Sequence, residues 1–348
     1  MLPGRRNQYL LLLRLAGPAL AVAALAWSFR DTDQERVGSL LGRVGPLAVL
    51  LLLPQLIALA VECAAWWLAF DSMGRRLPYA GLLRTRLATE ALAQTLPCGA
   101  LVCESLKPVL LARNCGADLA TSLAGMAARK WLQMTSQAAY IAGFALLGWA
   151  VLAQISMGVL HTAGLGWLLL AAAGLLLLLG AASYVGLAHG GLSQRVHALL
   201  LRLPWRRLRR HLQESRGKFA ESDRLLQRFF HGLVASPLPL LVCLLAWLCE
   251  AGETLLILWL LGVDLPAVTF GVLETAASFL RNTAVLLPAG LGVQDLGYLA
   301  FLRALELPDA LNLAAAFLLL KRGKELAWAM FGYALLAADL RPRLQVVS

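Results

Sequence analysis

Two apolar segments of this 348-residue chain are interrupted by the same nine-residue pattern. Residues 287–295 read Leu-Pro-x-Gly-x-x-Val-x-acid, and residues 96–104 carry the same pattern 191 positions earlier. The same offset aligns Lys130 with Lys321. A repeated, interrupted hydrophobic segment is typical of transporters whose broken helices meet near the bilayer midplane. The sequence therefore predicts two repeats, each with one broken helix.

The composition excludes an ordinary soluble protein. Hydrophobic residues make up 59% of the chain and charged residues 15%, whereas a soluble protein carries about a quarter charged residues. The net charge of +11 is concentrated in residues 189–236, which hold ten Lys and Arg against three Asp and Glu. This bias predicts a cytoplasmic loop that attracts anionic lipid headgroups. Because no nucleic-acid-binding motif accompanies the charge, we expect no nucleic-acid partner.

The sequence contains no recognisable catalytic or metal-binding motif. The six cysteines lie in or beside apolar segments without CxxC spacing, and the five histidines follow no zinc pattern. HExxH, P-loop, GxSxG and Rossmann patterns are absent. We therefore expect no metal, no disulfide, no cofactor and no enzymatic activity. Glu250 and Glu253, which lie within one apolar segment, are interpreted as packing or proton-relay residues.

The chain divides into six parts by hydropathy and charge. An apolar run at residues 9–27 ends in Ala-Leu-Ala, which resembles a signal-peptidase site, but the run is long enough to span and we predict a retained anchor. Both termini are then cytoplasmic. The parts are a signal-anchor span with an outer amphipathic segment (1–45), repeat 1 (46–154), a connecting span (155–188), a basic cytoplasmic loop (189–236), repeat 2 (237–340) and a cytoplasmic tail (341–348).

Each repeat is predicted to contain a span, a hairpin and a second span. Residues 82–96 and 101–112 are too short for the ~20 residues that a bilayer demands, so we interpret them as a re-entrant hairpin. Residues 266–287 and 293–305 form the second hairpin. The fold class is an all-α polytopic membrane protein with about six full spans and two re-entrant half-helix hairpins in inverted repeats, although full crossing of the hairpins stays open. The predicted hinge residues are Pro97, Gly99, Pro288, Gly290 and Gly292.

Charged residues inside apolar segments are the candidate binding residues. Inserting a charged side chain into the membrane at the middle of a helix costs at least ~2.5–3.5 kcal/mol, so such side chains are expected to face a partner or a cavity. Arg322 and Glu325 are three residues apart and are expected to pair, while Lys321 and Lys324 share a helix face. The predicted substrate-binding set is Glu90, Glu104, Lys107, Arg129, Lys130, Arg281, Asp295, Lys321, Arg322, Lys324 and Glu325.

Two interpretations of the hairpins stay open. The second half-helix of each begins just after the glycines, so its N-terminus could bind an anion, with Lys130, Lys321 and Arg281 adding charge for a phosphate headgroup. Alternatively, Glu104 and Asp295 complement the helix dipoles, and Lys130 and Lys321 are their structural counter-ions.

The motifs resemble those of a known family. Residues 287–295, followed by Lys-Arg-x-x-Glu within residues 320–326, are similar to the flippase-like transmembrane domain of lysylphosphatidylglycerol synthases and its stand-alone relatives. The Gly-Val-Gln-acid form is most similar to membrane proteins found alongside hopanoid biosynthesis. The resemblance covers residues 46–340, with Asp295 where the family usually has Glu. It implies lipid translocation between leaflets through a cavity between two inverted hairpins, without aminoacyl-lipid synthesis.

Taken together, these features predict a lipid transporter. The expected substrate is a phosphate-bearing or polyisoprenoid-type lipid that moves between the leaflets of a bacterial inner membrane. Without a nucleotide motif, a gradient or downstream consumption must drive transport. One alternative is a membrane-embedded partner or subunit of a hopanoid or aminoacyl-lipid enzyme, and another is a small-solute or ion-coupled transporter. A homodimer or a lipid-synthesis partner also stays open.

Overall fold

The protein is all-helical over the residues that the structure describes. A computed structural model describes residues 29–96, 99–200, 216–283 and 292–340, and these residues contain helices and turns but no strand. The predicted N-terminal span, the hinge residues Pro97, Pro288 and Gly290, and the tail at residues 341–348 lie outside the described residues.

The helices follow the predicted segments closely, and a 3₁₀ segment (Gly45–Leu51) joins the first two. In chain order they are α1 (Gln34–Val44), α2 (Leu52–Ser72), α3 (Tyr79–Thr95), α4 (Gly99–Cys115), α5 (Leu119–Leu147), α6 (Trp149–Leu160), α7 (Leu165–Ala188), α8 (Leu192–Leu200), α9 (Arg216–Ala235), α10 (Leu238–Leu260), α11 (Ala267–Thr283), α12 (Val293–Ala304) and α13 (Ala310–Leu340).

The amphipathic segment before the first repeat forms α1. The Asp33 carboxylate caps this helix by accepting hydrogen bonds from the backbone N–H groups of Glu35 at 2.9 Å and Arg36 at 3.2 Å. Val37 and Val44 are buried, and α1 packs against α13. The apolar side of this amphipathic helix therefore packs on the protein, and its position at the outer membrane surface stays a prediction.

The two predicted hairpins are pairs of short helices. Helices α3, α4 and α11 each have 17 residues and α12 has 12, so each is shorter than the ~20 residues needed to cross a bilayer. At the start of α4, a Cβ added to Gly99 would lie 2.3 Å from the carbonyl oxygen of Leu92, so the close approach to α3 requires glycine. Gly292, just before α12, has a φ of 82°, which L side chains rarely adopt.

Hydropathy alone identifies fewer spans than the six predicted. Among the described residues, three helical segments are long and apolar enough to span a membrane: Gln34–Ser72, α7 and α10. The bent pair of α5 and α6 counts as a fourth if it is one span. The 31-residue α13 is long enough but carries four charged residues near its middle, from Lys321 to Glu325. The protein is thus a multi-pass membrane protein, and the six-span count stays a prediction.

The second span of repeat 1, which the apolar sequence extends to residue 154, is not one continuous helix. Asp118 caps the start of α5, with its carboxylate accepting the Thr121 N–H at 2.7 Å. The helix ends at Leu147, and α6 departs from the direction of α5 by 84°. A Cβ on Gly148 would lie 2.1 Å from Cγ2 of Val272 in α11. Close packing on α11 accompanies the break, and hydropathy could not reveal it because the sequence stays apolar beyond it.

The two halves pack through equivalent pairs of helices. Helices α2 and α10, which open the two repeats, lie against each other at the centre. The first hairpin packs through α3 on α13, the long helix of the second half. The second hairpin packs through α11 on α5, the long helix of the first half. Each hairpin thus packs on the opposite half as well as on its own, and a cavity remains between the two halves.

The basic loop contains a packed amphipathic helix. On α9, the side chains of Phe229 and Phe230 are buried against Trp131 of α5, with a ring distance of 5.2 Å from Trp131 to Phe230. Arg224 and Arg228 are exposed on the opposite face. The described part of this loop is thus a basic helix whose apolar side packs on the protein.

The close contact of Gly99 with α3 allows a test of how tightly the first hairpin is packed at its tip. In Gly99→Ala, the new methyl group meets a backbone carbonyl that cannot rotate away, so we expect the free energy of unfolding to fall by about 1–3 kcal/mol. Denaturation of the purified protein in detergent measures this change. Gly174→Ala in α7 is the control, because its Cβ would meet nothing within 4 Å. Equal stability of the two variants would show that the hairpin tip is not tightly packed.

Candidate functional site

A polar cavity of about 310 Å³ lies between the two halves. Its walls come from α2, α3, α5, α10, α11, α12 and α13. Gln94, near the end of α3, and Gln294, in the first turn of α12, both line it. The cavity therefore borders both interrupted segments, where the repeated sequence pattern predicts a binding site.

In the first half, the buried carboxylate of Glu62 organises the cavity wall. It accepts hydrogen bonds from Arg86 Nε at 3.0 Å, Arg129 Nη2 at 2.5 Å and Gln133 Nε2 at 2.6 Å. Arg86 also binds Glu90 one turn further along α3. Two guanidinium groups thus surround one carboxylate, and helices α2, α3 and α5 are joined at this point.

Behind this wall, Glu104 of α4 pairs with cations other than the predicted one. Lys107 Nζ donates to Glu104 at 2.6 Å, and Arg129 Nη1 lies 3.7 Å from the same carboxylate. Lys130 is exposed and does not line the cavity. The ion pairs of Glu104 are therefore made with Lys107 of the same helix and with Arg129 of α5.

In the second half, Glu253 of α10 has the corresponding position. Lys321 Nζ donates to it at 3.0 Å, and Lys324 binds its other oxygen. The prediction that these lysines share a face is thus confirmed. Lys321 Nζ also lies 4.0 Å from Glu274, whose carboxylate accepts a hydrogen bond of 2.5 Å from the Tyr298 hydroxyl.

The offset of 191 residues relates contacts as well as single residues. Glu62 and Glu253 are separated by this offset, and so are their partners Gln133 and Lys324. In each half, a buried carboxylate on the opening helix accepts a hydrogen bond from the long closing helix. The polar wall of the cavity is therefore built in the same way twice.

Asp295 has a structural position at the start of α12. It is fully buried, and one of its oxygens accepts the backbone N–H of Gly292 at 2.8 Å. The other oxygen accepts Arg322 Nη2 at 2.7 Å, and Arg322 also donates to Glu325 at 2.5 Å, which confirms that predicted pair. The counter-ion of Asp295 is Arg322 rather than Lys321. A carboxylate of the protein thus occupies this helix terminus, which favours the dipole-complement interpretation over an anion site.

The structure divides the predicted binding residues into two groups. Arg281 is half-buried on the cavity wall, where its Nη2 donates to Glu250 at 2.8 Å. The residues that line the cavity are Glu90, Arg281, Lys321, Lys324 and Glu325, and those that do not are Glu104, Lys107, Arg129, Lys130, Asp295 and Arg322.

Several lining residues are missing from the predicted set, including Glu62, Glu250 and Glu253. Arg86 also lines the cavity, whereas its arginine-rich sequence neighbourhood predicts a position at the cytoplasmic end of the helix. Its spacing of four residues from Glu90 is a signal that could have placed it on the inner face of a helix. The uncharged Gln55, Gln94, Gln133 and Gln294 also line the cavity, but a neutral side chain in an apolar segment does not demand a partner as a charge does.

Comparison with protein families gives a match over most of the chain. The model of the family described as lysylphosphatidylglycerol synthase TM region matches residues 14–321. A search of curated proteins found no match.

The arrangement around Glu62 predicts a large effect of neutralising it. In Glu62→Gln, Arg86 and Arg129 lose their shared carboxylate, and breaking a buried ion pair costs about 3–5 kcal/mol. We expect thermal unfolding in detergent to show this loss. Glu221→Gln removes the partner of Arg75 in a more exposed pair, so it should cost about 0–1 kcal/mol. Equal effects of the two substitutions would contradict a central role for Glu62.

Proposed function

Because the chain belongs to the family of lysylphosphatidylglycerol synthase transmembrane regions, we propose that it transports a lipid between the two leaflets of its membrane. The family links this multi-pass membrane domain to lipid metabolism. The substrate we propose is a phosphate-bearing or polyisoprenoid-type lipid.

The observation that carries this proposal is the polar cavity bordered by both hairpins. Moving a polar headgroup through hydrocarbon is costly, because its hydrogen bonds with water are lost. The cavity volume of about 310 Å³ equals the liquid volume of roughly ten water molecules. This space suits a headgroup but not two acyl chains, so the chains stay in the lipid while the headgroup crosses.

We propose that the two halves are inverted repeats with six full spans and two re-entrant hairpins. The equivalent packing of α3 on α13 and of α11 on α5 supports this arrangement. The paired contacts of Glu62 and Glu253 support it further. Rocking of one half against the other would expose the cavity to each leaflet in turn.

The proposed location is a bacterial inner membrane with both termini in the cytoplasm. The exposed basic face of α9, with Arg224 and Arg228, supports a cytoplasmic position for the loop between the repeats. Anionic headgroups on that side would then meet this face.

We propose transport rather than catalysis. The charged side chains that line the cavity pair with one another, as Glu250 does with Arg281 and Glu253 with Lys321. A general acid or base needs access to the proton that it transfers, and these groups are engaged by their counter-ions. The pairs instead make a polar surface of low net charge.

A transport assay in liposomes tests the proposal. The purified protein is reconstituted with fluorescent lipids, and a membrane-impermeant reductant bleaches the labels in the outer leaflet. We expect the protein to make inner-leaflet labels accessible. The double variant Arg281→Gln with Glu250→Gln removes one cavity pair without leaving an unpaired charge, and we expect it to slow this process severalfold.

The matched control removes an ion pair away from the cavity. Arg84 Nε binds Asp339 at 2.6 Å between α3 and α13, and neither residue lines the cavity. The double variant Arg84→Gln with Asp339→Asn should transport at nearly the wild-type rate once equal insertion is verified. If empty and protein-containing liposomes give the same accessibility for all lipids, the transport proposal fails.

A further inference from the structure

The charges on the cavity wall are already satisfied by the protein. Nine charged side chains line the cavity, and each has a counter-ion within the described residues. An ionic headgroup would have to displace one of these pairs. Breaking a buried pair is costly, so the wall offers little net attraction to a bare phosphate or a bare ammonium group.

Three uncharged side chains on the same wall each have one polar atom without a hydrogen-bond partner in the described ranges. Gln55 Oε1, Gln94 Oε1 and Gln294 Nε2 are buried and have no hydrogen-bond partner within the part of the chain that the structure describes. Gln294 is only 1% exposed. Leaving a buried polar atom unpaired costs about 1–3 kcal/mol, so three such atoms around one cavity indicate groups that a ligand would satisfy.

The repeat shows that Gln294 differs from its counterpart. The equivalent position in the first hairpin is Cys103, which is also buried. Its thiol donates to the carbonyl oxygen of Thr89 at 2.9 Å, so the protein satisfies this group itself. At the same place in the second hairpin, the Gln294 amide nitrogen lacks a partner among the described residues, so at this position of the repeat only the second hairpin offers a group to a ligand.

The mixture of unpaired atoms restricts the chemistry of the ligand. Two amide oxygens need donors and one amide nitrogen needs an acceptor. A phosphate diester only accepts hydrogen bonds and an ammonium group only donates them, whereas a hydroxyl group does both. The orientation of Gln94 is fixed, because its Nε2 donates to Glu90 at 3.1 Å and its Oε1 remains free.

We propose that the cavity recognises an uncharged headgroup with several hydroxyl groups, of the polyol or sugar type, through Gln55, Gln94 and Gln294. Its attachment to a lipid rests on the proposed function. Any phosphate of the same lipid would lie outside this amide-lined part of the cavity. Gln294 is the specificity-determining residue, since it alone supplies the unpaired donor.

The experiment measures binding of three lipids with identical acyl chains to the purified protein in detergent. The probes are a diacylglycerol with a neutral disaccharide headgroup, phosphatidic acid and phosphatidylethanolamine. We expect the disaccharide lipid to bind most tightly. In Gln294→Leu, its affinity should fall about two- to tenfold, as expected for one neutral hydrogen bond, while binding of the other two lipids is unchanged. Gln55→Leu should act in the same direction.

The variants also report on folding. Gln294→Leu removes an unpaired buried amide nitrogen, so the ligand-free variant should unfold at about the wild-type temperature or above it. The control is Gln154→Leu, whose amide lies outside the cavity and donates to the carbonyl oxygen of Ala304 at 3.3 Å. It should bind all three lipids as the wild type does.

Several outcomes would overturn the inference. Tighter binding of phosphatidic acid than of the disaccharide lipid would show that the cavity recognises phosphate. Equal losses of disaccharide-lipid affinity in Gln294→Leu and Gln154→Leu would show that the cavity amides do not bind the headgroup. The free disaccharide is tested as a competitor. If the free disaccharide binds as tightly as the lipid, the cavity does bind hydroxyl groups but its ligand is a soluble solute. That result would contradict the lipid-transport proposal and leave the hydroxyl-binding site in place.

Discussion

The structure depends on the cost of placing charge inside a membrane. The apolar segments carry carboxylates and cations that are expensive unless each finds a partner. Glu62 joins three helices of the first half, and Glu253 joins α10 to α13 in the second. Because these groups must stay paired, the helices that carry them must stay together, and the polar cavity forms where the pairs from the two halves face each other. The requirement for pairing thus creates both the tertiary contacts and the polar interior.

The two halves meet this requirement with different chemistry. In the first half, the central carboxylate is held by the guanidinium groups of Arg86 and Arg129, which donate in a fixed planar geometry. In the second half, Glu253 is held by the ammonium groups of two lysines, which are compact and can rotate about flexible stems. The repeat therefore conserves the position of the carboxylate while the cations differ.

The sequence predicted the helices, the interrupted segments and the side chains of α13 that line the cavity. These followed from local rules, since hydropathy and the spacing of Lys321 and Lys324 depend only on nearby residues. It did not predict the break at Gly148, because that break accompanies contact with Val272, a residue far along the chain. It also assigned Lys130 to the site, although Lys130 is exposed, because an offset between repeats aligns positions but does not fix the side of a helix that faces inward. Gln294 was overlooked for a related reason: its importance lies in an unpaired atom, and only tertiary structure shows which groups lack a partner.

The contact between Asp295 and Arg322 has a mechanical consequence. Asp295 is tied to the backbone of Gly292 on one side and to α13 on the other. The beginning of α12 and the middle of α13 are therefore coupled, and a displacement of one is transmitted to the other. Motion of the second hairpin cannot be the swing of an independent flap. Opening on that side would therefore move the start of α12 and the middle of α13 together.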